Sequence, residues 1–144
     1  MRFWDSSALV SLVMAEPTSK AALQMLTVSD GVTVWWGTQI ECMSAIARAE
    51  REARIHGPAV PDAVAALRLL RSGWVEVDAT ARLRDIAERL VRVHPLRAAD
   101  AMQLAAAIVA SDGQSSTLPF VTVDERLARA ADREGFTVMT PGRA

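Results

Sequence analysis

The stretch RFWDSSALVSLVMA, residues 2–15, decides the fold. Arg2 to Trp4 reads as a short strand, an acid follows at once at Asp5, and Ser6 to Ala15 continues as an apolar helix. The same order returns downstream. VTVWW, residues 32–36, is β-branched and aromatic and runs into the helical pattern GTQIECMSAIARAERE, residues 37–52. WVEV, residues 74–77, precedes a helix reaching about Val93. FVTV, residues 120–123, precedes DERLARAADRE, residues 124–134, which Gly135 closes as a C′ glycine does. FTVM, residues 136–139, is a short last strand. Further helices are expected from Pro17 to about Val28, from Asp62 to Leu70 after the punctuation of Gly57, Pro58 and Pro61, and within PLRAADAMQLAAAIVA, residues 95–110. Ser111 to Pro119 reads as a polar loop. Strands alternating with helices of this length imply right-handed crossovers and a parallel sheet covered on both faces. The expectation is one α/β domain over residues 1–144, without repeats or low-complexity tracts.

Composition narrows the functional classes. Hydrophobic residues make up 51% and charged residues 23% of the chain, which is globular composition. A net charge of -1 provides no global polycation, so a nucleic-acid role needs a local basic patch or bridging cations. Every basic side chain except Lys20 is arginine, a skew that a GC-rich genome explains without reference to function. The single cysteine, Cys42, rules out an internal disulfide and a cysteine-rich zinc site, and its helical setting suits a small buried filler. RFW already reads as a strand and not as a secretory leader, and the apolar runs stop well short of the ~18 residues that span a bilayer. A soluble, cytoplasmic protein is expected.

The acids carry the chemistry. Open parallel sheets bind ligands outside the carboxyl ends of their strands. Asp5 follows the first strand, Glu41 lies in the first turn of the helix after the second, and Asp124 follows FVTV. Each also has a purely structural explanation. TQIE, residues 38–41, and TVDE, residues 122–125, both fit a capping box, and Asp5 or Asp124 alone suits a helix N-cap. Asp78 follows WVEV in the same way, so a position at a strand end does not suffice.

Asp100 tips the balance. It stands near the head of a helix built almost wholly from Ala, Leu, Met, Ile and Val, where an isolated carboxylate is costly. The helix dipole favours it by only ~0.3–1 kcal/mol, and an i,i+3 pair with Arg97 by ~0.2–0.5 kcal/mol. If that helix head meets the same sheet edge, four carboxylates converge. Two carboxylates ~4 Å apart repel by ~4 kcal/mol at an effective dielectric near 20, so the cluster must hold protons or a divalent cation. An all-oxygen donor set favours Mg²⁺ or Mn²⁺ over Zn²⁺.

Four segments also carry a family resemblance. RFWDSSALV, TQIECMSAIARA, LRAADAMQLAAA and FVTVDERLARAA resemble the successive acidic motifs of PIN-domain ribonucleases, and more closely the VapC-type toxins of bacterial toxin–antitoxin pairs. The resemblance spans nearly the whole chain. It implies an α/β/α sandwich with a four- or five-stranded parallel sheet. It implies Asp5, Glu41, Asp100 and Asp124 as catalytic, metal-site carboxylates, with Asp124 acting directly or through water. Ser7 and Thr122 match supporting hydroxyl positions, which ordinary capping would equally explain. The implied activity is Mg²⁺-dependent (or Mn²⁺-dependent) hydrolysis of RNA phosphodiesters, leaving 5′-phosphate and 3′-hydroxyl ends and inhibiting translation and growth. The implied partners are RNA, a second copy of the chain, and a VapB-type antitoxin whose peptide covers the groove in a heterotetramer or larger assembly. The family's topology places Asp78 on an edge strand away from the site.

Other residues are weighed beside these. His56 and His94 lie in unrelated segments and read as incidental. Arg48, Arg51 and Arg54 recur every third residue along the Glu41 helix and suit an RNA groove, a solvated face or a dimer contact equally. Of Trp35 and Trp36, at least one is expected in the core, the other being free to stack a base or meet a partner. Two rival functions stand. A haloacid-dehalogenase-like phosphatase would use Asp5 as nucleophile but expects a second Asp where Ser7 stands. A noncatalytic module would keep the fold and only bind an antitoxin or DNA.

Overall fold

The computed structural model describes residues 1–143. Its elements are β1 (Arg2–Trp4), α1 (Ser6–Val13), α2 (Ser19–Thr27), β2 (Val32–Trp35), α3 (Thr38–Arg51), α4 (Ala59–Arg71), β3 (Val75–Val77), α5 (Ala81–Val93), α6 (Ala98–Ala110), β4 (Phe120–Val121), α7 (Glu125–Arg133) and β5 (Val138–Met139), with a 3-10 turn at Ser115–Thr117. All five strands run parallel in the order β3-β2-β1-β4-β5. The chain builds outward from β1 to β3, then returns through α5 and α6 to lay β4 on the other side of β1. The switch point therefore falls between β1 and β4, where ligands of open α/β sheets bind.

Alternation along the strands divides the core in two. Phe3, Trp35 and Phe120 face α5, α6 and α7, with the Phe3 and Phe120 rings stacked 5.3 Å apart. Trp4, Val34 and Val121 face α1, α3 and α4. The result is the expected three-layer sandwich. Helix α6 is apolar around most of its circumference because it is packed between the sheet and α5. Ala101, Leu104, Ala105, Ala106 and Ala107 on it are fully buried, and their small side chains permit that close packing. Cys42 is buried against the Ser6 carbonyl, and burial pushes its thiol up to about 12, so it is a core filler.

Several boundaries differ from the sequence reading. Helix α4 begins at Ala59 and not at Asp62, because Pro61 falls in its first turn, where a missing N–H costs nothing. Strand β4 stops at Val121, two residues early, since Thr122 and Val123 turn to serve the site below. Helix α3 ends at Arg51, so Arg54 lies beyond it, past a left-handed Ala53 (φ 56°). Gly135 has φ +90° and follows α7 as expected.

His94 is not incidental. It is buried at the end of α5, with Nε2 2.7 Å from Glu134, which also accepts two hydrogen bonds of 3.0 Å from Arg89. These bonds hold the Glu134 carboxyl below its ordinary range and tie α5 to the end of α7. Glu134→Ala leaves a buried imidazole nitrogen unpaired and is expected to cost about 1–3 kcal/mol, read from the denaturant midpoint. The loss should shrink as pH falls and Glu134 takes up a proton in both states. An unchanged midpoint at neutral pH would refute this role.

Candidate active site

The switch point gathers the acids. Asp5 caps α1, its carboxylate accepting from the Ser7 amide at 3.3 Å, so the capping explanation is correct but incomplete. The same carboxylate, 2% exposed, accepts from the Thr122 hydroxyl at 2.9 Å and from the Ser7 hydroxyl. Those hydroxyls are themselves positioned by the backbone after β4, because Ser7 accepts from Val123 N–H at 3.1 Å and Thr122 from Asp124 N–H at 3.0 Å. Ser7 and Thr122 thus join two adjacent strand ends around one carboxylate.

Glu41 does not cap its own helix. Helix α3 starts after Gly37 without a side-chain cap, and Glu41 Oε2 instead accepts from the Ser6 hydroxyl at 2.8 Å and from Gln103 Nε2 at 3.2 Å. Gly37 is required by packing, since a Cβ there would run into the Trp35 indole. Gln103 is fully buried and also donates to Thr38 Oγ1 at 3.0 Å, so it links α6 to the head of α3. Sequence reading missed both Ser6 and Gln103 as partners of Glu41. Position gave the one available clue for Gln103, a polar residue one turn after Asp100 in an otherwise apolar helix.

Asp100 is half-buried in the first turn of α6, and the ion pair with Arg97 that the spacing allows is not formed within 4.0 Å. Asp124 caps α7, accepting from Leu127 N–H at 2.8 Å, as its capping explanation requires. Asp5, Glu41, Asp100 and Asp124 nevertheless line one cleft of about 620 Å³, with Ser6 and Ser7. Asp78 is exposed beyond the edge strand β3 and is absent from it.

Electrostatics follows from this crowding. Burial raises Asp5 to about 6 against the donation of Ser7 and Thr122, and the charges of Glu41 and Asp100 push the same way. Burial also raises Glu41, with Asp100 adding to it. Asp100 is raised by burial and by Asp124, while Arg97 and Arg126 oppose the shift. Each acid makes its neighbour harder to ionise, which a bound cation would reverse. Among the described residues no three His, Cys, Asp or Glu side chains form a ready chelating group as they lie. The donor set is carboxylate and hydroxyl oxygen, which fits Mg²⁺ or Mn²⁺, since Mg²⁺ is commonly held by one or two carboxylates with water completing its shell.

The surroundings resolve other expectations. Arg48 and Arg54 line the cleft and Arg51 does not; Arg54 is paired with Glu52 at 2.9 Å. Trp35 is core, whereas Trp36 is 57% exposed and Ile40, on the cleft wall, 69% exposed. Neither histidine lines the cleft, so the serines have no imidazole base there. Ser7 is hydrogen-bonded to Asp5 where a haloacid-dehalogenase pattern needs a second acid.

Comparison with known proteins agrees with this architecture. The PIN domain family model matches residues 2–133. The chain belongs to the PIN-domain family. A protein named ribonuclease VapC35 from Mycobacterium tuberculosis is 33% identical to this PIN domain, over 100% of this chain and 99% of the relative. Among solved structures, FitAB bound to an IR36 DNA fragment superposes with a TM-score of 0.67 at 17% identity, covering 100% of this chain and 97% of that one. A toxin–antitoxin complex from Klebsiella pneumoniae gives 0.63 at 16% identity over 100% of both chains. At those identities the structural likeness speaks for the PIN fold alone. No helix among the described residues is long and apolar enough to cross a membrane.

Proposed function

We propose that this PIN domain is a metal-dependent endoribonuclease and the toxin of a toxin–antitoxin pair, which hydrolyses RNA and thereby inhibits translation and growth. The observation that carries the reading is the meeting of Asp5, Glu41, Asp100 and Asp124 at one cleft, in a chain whose full-length relative is named a ribonuclease. Asp5 and Asp100 would hold Mg²⁺ or Mn²⁺, with Glu41 and Asp124 completing the charge directly or through water. Such an ion supplies Lewis-acid activation of phosphate and water when bound. The chain's own contribution is orientation. Ser7 and Thr122 fix the rotamer of Asp5, Ser6 and Gln103 fix Glu41, and the head of α6 presents Asp100 toward both. A VapB-type antitoxin belongs to the same reading, in keeping with the structural neighbour from Klebsiella pneumoniae, a toxin–antitoxin complex, and so do a second copy of the chain and a heterotetramer or larger assembly.

The test is cleavage of RNA by the purified, partner-free protein with Mg²⁺ or Mn²⁺ and then with chelator. Cleavage that survives chelation refutes the metal, and no cleavage under any condition refutes the nuclease. Light scattering with and without a co-expressed antitoxin reads the assembly. Gln103→Leu removes the donor behind Glu41 while keeping an apolar fit, and is expected to cost about 10- to 100-fold in metal affinity or cleavage. A Mn²⁺ titration of the variant checks it, since an unshifted midpoint would show that Glu41 needs no such support.

A further inference from the structure

A second cavity, of about 670 Å³, adjoins the acidic cleft and shares Ala99, Asp100 and Asp124 with it. Its remaining wall carries three arginines, Arg97, Arg126 and Arg129, beside one acid, Glu125. Arg129 is 3.8 Å from Glu125, which also accepts from Arg143, so its charge is partly matched. Arg97 and Arg126 form no ion pair within 4.0 Å among the described residues. Both are exposed, yet both stand near enough to Asp100 to ease its ionisation.

Neither a cap nor an ion pair accounts for their position. Arg97 is the N-cap residue of α6 and makes no side-chain capping bond, and Arg126 lies in the first turn of α7. Cations at helix N-termini oppose the dipole, where acids or caps are favoured. Two guanidiniums at two helix heads line one cavity, and among the described residues neither has a carboxylate within 4.0 Å, so both charges are available to an anion there. The head of α6, which has no side-chain cap, would favour the same anion, and the planar guanidinium fork suits a phosphate.

We propose that Arg97 and Arg126 form a phosphate subsite that holds the RNA strand one step beyond the scissile bond, on the α6–α7 side of the acids. The inference rests on the nuclease reading and adds a direction to it. The strand passes from the acid cleft over Asp100 into the second cavity, so its hold is asymmetric about the cut. Arg97 and Arg126 are binding and positioning residues, and the acids do the chemistry.

The experiment measures binding of a fluorescent single-stranded RNA by the full chain in Ca²⁺, as a function of KCl, for the parent and for the R97A/R126A and R97K/R126K pairs. Each phosphate neutralised on a single strand contributes about 0.7 to the log–log salt slope, so R97A/R126A should flatten it by roughly 1.4. The lysine pair keeps both charges and should restore most of the slope. Arg92→Ala, on exposed α5 away from both cavities, should leave it unchanged. Circular dichroism confirms folding of each variant. With cleavable RNA and Mg²⁺, a single neutral methylphosphonate should slow the parent at one position on one side of the cut and not slow R97A/R126A further there. An unchanged slope in R97A/R126A, with RNA cleavage intact, overturns the subsite and leaves the nuclease standing. RNA that neither binds nor is cleaved by the parent overturns both. Loss of antitoxin binding with an unchanged RNA slope assigns the arginines to an acidic protein segment instead and overturns the proposal.

Discussion

Asp5→Asn and Asp100→Asn are each expected to reduce RNA cleavage by about 100- to 1,000-fold. A bound divalent ion provides several kcal/mol of transition-state stabilisation, and each 1.36 kcal/mol is tenfold in rate. The amide is nearly isosteric with the carboxylate but neutral, so it weakens the hold on a cation while sparing the packing. Asp5 follows β1 as the cap of α1 and Asp100 lies on α6, so two independent elements would produce the same loss. Asp78→Asn, exposed beyond β3, should cut RNA at the parent rate. Time courses on a structured RNA at saturating Mn²⁺ decide the matter. Parental rates in both site variants would mean that the acids at the switch point are not the catalytic centre.

In the metal-free protein, Asp5→Asn should gain stability relative to the parent as pH rises. Asp5 is raised from 3.8 to about 6 in the fold, mainly because its charged form is buried. The folded state therefore binds the proton more tightly than the unfolded chain. That contribution is fully present below about pH 3.8 and is lost as pH rises through about 6. The shift corresponds to about 3 kcal/mol lost between those limits. Asp5→Asn carries no charge to bury, so the difference in unfolding free energy between the variant and the parent should grow by that amount, in the variant's favour, from pH 4 to pH 8 in chelator. Any loss of hydrogen bonding in the amide is independent of pH and drops out of this comparison. Adding Mn²⁺ at pH 8 should stabilise the parent and leave Asp5→Asn nearly unmoved. Urea midpoints at the two pH values suffice. A difference that stays constant across the range would show that Asp5 does not bury its charge at the expense of the fold.

Much of this was legible in the chain. The strand–acid–helix order at residues 2–15 recurs at Val32 and Phe120, and a period of two beside a period of 3.6 survives without tertiary information. The acids at Asp5 and Asp124 could be placed at strand ends because a parallel sheet turns sequence position into a common edge. Glu41 was ambiguous for a local reason. TQIE satisfies the capping pattern residue by residue, and only the helix start at Thr38, with Ser6 and Gln103 bonded to the carboxylate, excludes it. His94 was misjudged because its partner Glu134 is 40 residues away.

The sequence by itself determined the layer architecture, the parallel sheet and which four acids come to line the cleft, because periodicity and strand-end position are local properties of the backbone. Tertiary structure alone decided which hydroxyls and amides hold those acids, how strongly they repel, and where the unpaired arginines fall. Hydrogen bonds such as Thr122 to Asp5 join residues 117 apart, and burial depends on every layer of the sandwich at once. No short window of sequence contains either quantity.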